Sequence, residues 1–129
     1  MLSVKIISAI NNAEAKALAT YGSRGINVVP VSVVSVDAEF ITLYDFFMRK
    51  TVENVLSNND VALSFWSGLA GIQIKGRASY VTTGIEFEKS TREMLEQFPT
   101  RVLKGLIKIV PTAVYDVSAD ITKAGTILS

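Results

Sequence analysis

Cysteine and histidine are both absent from the 129 residues. Their absence excludes zinc fingers, iron–sulfur clusters, disulfide scaffolds and cysteine nucleophiles. It also excludes Ser-His-Asp triads, histidine general bases and histidine-ligated metals. No metal site is expected, and redox or acid–base chemistry would be carried by a borrowed cofactor. Charge of one sign is missing too. Lys+Arg number 13 and Asp+Glu 12, a net charge of +1, without the basic stripe of a nucleic-acid binder. The apolar runs are short and interrupted, so no transmembrane helix is expected. Leu2 to Ala13 is apolar on one side only, holds Lys5 and two asparagines, and lacks a signal peptide's uniform apolar region and cleavage site. The expectation is a soluble, cytoplasmic protein. Proline (3) and glycine (8) are sparse and fall at plausible element ends, with no linker, repeat or low-complexity stretch.

What is present is apolar. Hydrophobic residues make up 49% and the mean hydropathy is +0.35. A chain of this length forms one domain, residues 1–129, and buries roughly two-thirds of its unfolded surface. The apolar excess points to an oligomer.

Ser3 can cap a helix whose apolar positions Leu2, Ile6, Ala9, Ile10 and Ala13 recur at helical spacing. Lys16 to Tyr21 reads as a strand, and Gly22-Ser23-Arg24-Gly25 as a turn in which two glycines supply positive φ. Ile26 to Val36 reads as one long strand, apolar on both faces and so covered on both sides. Phe40 to Asp45 is a third strand. Thr51 to Ser57 is a short helix with Val52, Val55 and Leu56 on its inner face. Val61 to Trp66 is a fourth strand, with Trp66 in the core or at a dimer contact. A glycine-bounded loop, Ser67 to Gly71, precedes a fifth strand that turns Ile72, Ile74, Ala78 and Tyr80 one way and Gln73, Lys75, Arg77 and Ser79 the other. Thr83 and Glu86 match a capping box, opening a helix with Phe87, Thr91, Met94, Leu95 and Phe98 on one stripe. Arg101 to Val110 reads as helical at first, then extended before Pro111. Ala113 to Asp120 is a last strand, with Ala113, Tyr115, Val117 and Ala119 on one face. Short turns between neighbours make the sheet mainly antiparallel. Six strands in so small a chain favour a closed or nearly closed barrel.

The segment Tyr44-Asp45-Phe46-Phe47-Met48-Arg49-Lys50-Thr51 leaves a strand and enters a helix. Arg49 and Lys50 supply two positive charges, Thr51 a hydroxyl, and the first helical turn free N–H groups that favour an anion. Phe46 and Phe47 stand just before, where a flat ring could lie. The pattern reads as a site for a phosphate attached to such a ring; a basic dipeptide before a helix is also a common solvated surface feature. Val29-Pro30-Val31-Ser32 is a second candidate, because proline breaks the sheet ladder and frees nearby backbone for a ligand. An edge strand or a bulge gives the same pattern. Gln73 could reach a ligand from the outer face of its strand. No pair of carboxylates suggests acid–base work.

In order, these pieces are Val-Val-Pro-Val, then Met48-Arg49-Lys50-Thr51 with Asn54-Val55, then Ile74-Lys75-Gly76-Arg77-Ala78, then Gly84-Ile85-Glu86-Phe87-Glu88. Together they resemble the FMN-binding split β-barrel superfamily, the pyridoxamine 5′-phosphate oxidase-like proteins, and most of all its small single-domain members. The resemblance runs from about Ala17 to about Thr122. It implies a six-stranded antiparallel split β-barrel with peripheral helices, a homodimer, and FMN bound near the subunit interface. By that resemblance Arg49, Lys50 and Thr51 hold the phosphate. Val29, Pro30, Val31 and Ser32 lie along the ring, and Asp45, Phe46 and Phe47 border the rest of the cofactor. The arginine- and tryptophan-bearing C-terminal segment of the true oxidases is not found, so pyridoxamine phosphate oxidase activity is not expected. A flavin-dependent oxidoreductase or an electron carrier is, served by a nicotinamide or by a protein electron donor. The alternatives are an F420-binding reductase and a flavin-binding dimer without turnover. Related barrels also bind haem, which usually takes a histidine.

Overall fold

The computed structural model describes residues 2–128. Helix α1 (Val4–Asn12) begins where Ser3 Oγ accepts the Ile6 N–H at 3.2 Å, and it buries Ile6 and Ile10. Then come β1 (Ala15–Gly22), β2 (Gly25–Pro30), β3 (Val34–Val36), β4 (Ile41–Asp45), α2 (Arg49–Ser57), β5 (Asp60–Ser67), β6 (Ala70–Val81), α3 (Ile85–Gln97) and β7 (Gly105–Asp116). All strand pairs are antiparallel, in the order β2-β1-β5-β6-β7-β4-β3.

The sheet has seven strands, where the sequence led us to expect six. The run from Ile26 to Val36 is two strands, because the ladder stops at Pro30, whose nitrogen has no hydrogen to donate. That break creates the split. Strands β2 and β3 are the two edges of the sheet, yet only residues 31–33 separate them in sequence. Four residue steps span at most about 14 Å, whereas seven strands laid flat would set the edges roughly 29 Å apart. The sheet must therefore curl until its edges nearly meet. Residues 31–33 form the strap across the gap, pinned where the Val31 N–H donates to Lys16 O at 3.0 Å.

Curling encloses one core. Leu18, Ile41, Leu43, Leu63, Phe65, Ile74, Ile107 and Ile109 fill it, and Leu2 together with Ile6 and Ile10 of α1 packs onto it. A second cluster forms outside the barrel between β4, β7 and α3: Tyr44, Phe46, Met94, Leu103 and Leu106. Strand β4, buried at every position, lies between the two.

Several local expectations are corrected. Only Gly25 of the first turn has positive φ (76°). Gly22 is needed because a Cβ there would collide with Ser57 Oγ and lie 2.8 Å from Asn54 O. Gly84 (φ 102°) occupies the N-cap of α3 and no side chain caps it, so the Thr83 capping box does not form. Leu56 points outward, 70% exposed, and the buried face of α2 is Thr51, Asn54 and Val55. Residues 101–104 are not helical, and β7 runs through Pro111. It does so through a bulge: Gly76 pairs with Pro111 and Lys75 with Ala113, leaving Thr112 as the extra residue. One extra residue exchanges the faces. Ile107 and Ile109 point into the core before it and Val114 after it, so the last strand buries Val114 and not the face of Ala113 and Tyr115. Trp66 is 41% exposed.

Candidate functional site

The strap, the end of β4 and the chain leaving α3 converge on one open groove of about 340 Å³. One wall is Val29, Pro30, Val31, Ser32 and Val33; the other is Tyr44, Phe46, Phe47, Met48 and Arg101. Six of the sequence-derived candidates therefore meet here: Val29, Pro30, Val31, Ser32, Phe46 and Phe47. Phe46 is buried against Phe98, with ring centroids 5.8 Å apart and the rings edge-on. Phe47 is 79% exposed, an apolar surface left open to a ligand or a partner.

Helix α2 starts at the end of this wall. Met48 is its N-cap and no side chain caps the first turn. The first-turn N–H groups are therefore free for an anion. Arg49 and Lys50 are exposed there, and neither has an ion-pair partner among the described residues. They stand next to the groove rather than in its lining.

Thr51 and Asp45 are buried and hydrogen-bonded within the chain. Thr51 is fully buried, and its Oγ1 accepts a hydrogen bond from Asn27 Nδ2 at 3.0 Å. Beside it the fully buried Asn54 donates to Thr20 Oγ1 and Gly25 O and accepts from the Arg24 N–H at 2.8 Å. Two residues of the Arg-Lys-Thr-x-x-Asn pattern thus dock α2 onto β1, β2 and the turn between them. The Asp45 carboxylate, 4% exposed, accepts the Met48 N–H at 2.8 Å and the Tyr80 hydroxyl at 2.5 Å. It shapes the turn that carries Phe46, Phe47 and Met48. Burial, then the hydrogen bond to Asp45, then that carboxylate's charge push the Tyr80 phenol well above its usual value. Gly105 makes the contact possible, since a Cβ there would collide with the Tyr80 ring.

Gln73 is not brought to the groove. It lies on β6 opposite Ser64 and Tyr115, across the sheet from the strap. Arg101, by contrast, lines the groove and was not singled out in the sequence. Its segment carries no periodicity, and only the packing of Phe46 against Phe98 reveals its place. Among the described residues no cluster of three His, Cys, Asp or Glu could hold a metal ion, and no helix is long and apolar enough to cross a membrane.

A curled antiparallel sheet with a strapped split, and a basic helix start beside the groove, define the class. The chain belongs to the pyridoxamine 5′-phosphate oxidase family, whose profile matches residues 4–120. No curated protein matches it. Among solved structures it is similar to HupZ from Group A Streptococcus, at 19% identity, with 98% of this chain and 99% of that one covered and a TM-score of 0.81. It is similar to an FMN-binding protein from Syntrophomonas wolfei subsp. wolfei (18% identity, 88% and 84% covered, TM-score 0.75). It is also similar to HutZ, the haem storage protein from Vibrio cholerae (16% identity, 89% and 94% covered, TM-score 0.67). At these identities the likeness is one of fold.

Proposed function

We propose that this protein binds FMN in the groove and works as a flavin-dependent redox protein. The observation that carries the reading is the junction of an open, mostly apolar groove with a helix start whose two exposed cations have no ion-pair partner among the described residues. The donor set fits the group. The groove volume lies in the range of small-molecule sites, about 300–1,000 Å³, and its walls are mostly aliphatic and aromatic, with Ser32 and Arg101 among them. Free N–H groups with Arg49 and Lys50 suit a phosphate. FMN when bound would supply the electron chemistry that these side chains lack. The chain's own part is to orient the ring between the strap and Phe46, and to hold the phosphate at the start of α2.

The donor set favours FMN over the other cofactors of such barrels. Haem iron would find neither histidine nor cysteine. The long acidic tail of F420 calls for more cations than the Arg49-Lys50 pair. A homodimer belongs to the same reading. On edge strand β2, Ile26 and Val28 are 83% and 62% exposed on one face, and Phe47 is open on the groove wall. A second copy covering these residues would close the groove. A nicotinamide or a protein donor would then supply electrons.

The test is to purify the protein without added flavin, record its visible spectrum, and identify what denaturation releases. FMN near one per chain supports the reading. A colourless protein that also refuses added FMN overturns it.

A further inference from the structure

After Pro99 ends α3, the Arg101 N–H donates to Phe98 O at 3.0 Å and the side chain folds back over two rings. Its guanidinium carbon lies 4.4 Å from the Phe98 centroid and 5.4 Å from that of Phe46. Among the described lining residues Arg101 is the only charged one, and it has no ion-pair partner among the described residues. Contact with aromatic faces leaves the N–H donors at a guanidinium's rim available to a ligand. A surface arginine without a task would extend into water; this one is half-buried against two rings beside a groove. Its charge is separate from that of Arg49 and Lys50, on another element.

We propose that Arg101 recognises the electron-rich carbonyl edge of the planar ring bound in the groove, while Arg49 and Lys50 recognise the phosphate. The inference rests on the flavin reading. It assigns ring recognition and phosphate recognition to different cations. A fixed positive charge at the ring stabilises the more electron-rich form. Losing it therefore moves the midpoint potential of the bound ring to more negative values.

The experiment compares FMN with riboflavin, the same ring without phosphate, on the full chain. Arg101→Gln keeps a planar stacking group and removes the charge. It weakens both ligands by the same factor, about tenfold, and makes the midpoint potential of bound FMN more negative. Arg49→Ala with Lys50→Ala weakens FMN and leaves riboflavin unchanged. Arg101→Lys keeps the charge and holds the potential near that of the unaltered protein. If Arg101→Gln binds both ligands as before with an unchanged potential, the inference is overturned and the flavin reading stands. The same holds if Arg101→Lys shifts the potential as far as Arg101→Gln does, because packing is then the cause. If the unaltered chain binds neither ligand, the flavin reading falls and takes this inference with it.

Discussion

Arg49 and Lys50 sit in solvent and form no salt bridge among the described residues, so replacing either by alanine should leave the folded chain intact. Each replacement should weaken FMN binding by about 1–3 kcal/mol, measured by flavin fluorescence titration; an unchanged affinity would move the phosphate elsewhere. Tyr80 is the opposite kind of residue. Its hydroxyl serves the buried Asp45 carboxylate, so Tyr80→Phe leaves Asp45 Oδ2 without that donor and should cost about 1–3 kcal/mol of stability, read from urea unfolding. The Tyr80 phenol is pushed above its usual 10.0. Its contribution is complete below the unfolded value and is lost as pH rises toward the folded one. Stability should therefore fall above about pH 10, and Tyr80→Phe should flatten that fall. The basic pair was legible because cations before a helix carry their meaning locally. The bond between Asp45 and Tyr80 was not, because 35 residues separate them and only the β6–β7–β4 order brings them together.

At the level of elements, α2 lies so close to β1 that a side chain at Gly22 has no room. Gly22→Ala should destabilise the protein by about 1–3 kcal/mol, and thermal melting would show it. A melting temperature equal to the parent's would mean that α2 can shift outward. The turn before β4 is held by Asp37, whose carboxylate accepts the Phe40 and Glu39 N–H groups, both at 2.8 Å. These bonds, that from Phe40 first, lower its pKa below the ordinary 3.8. A lowered folded value gives stability that is present above 3.8 and is lost as pH falls through the folded value. An acid titration of unfolding should show this loss, reduced in Asp37→Asn. Element type was legible wherever a period or a cap was local, as in α1 with Ser3. The Thr83 capping box misled because Thr-x-x-Glu needs an extended cap backbone, and the chain instead enters α3 through a positive-φ glycine.

For the whole molecule, the exposed face of Ile26 and Val28 argues for a second copy. Sedimentation should give twice the 14.0 kDa chain mass. Ile26→Glu with Val28→Glu should give the monomer and weaken FMN binding. A monomeric unaltered protein would leave the groove open and end the dimer reading.

The sequence by itself determined the class: its antiparallel strands, its lack of cysteine and histidine, and its basic helix start all follow from local pattern and composition. The tertiary structure decided how many strands there are and which residues share a groove. Pro30 splits a run that periodicity reads as continuous, and the short strap then forces the sheet to curl. That curl brings Val29–Val33 against Phe46 and sets Arg101 beside them. Curl and bulge act over the whole sheet, so an extra residue at Thr112 or a missing N–H at Pro30 changes faces and neighbours far along the chain.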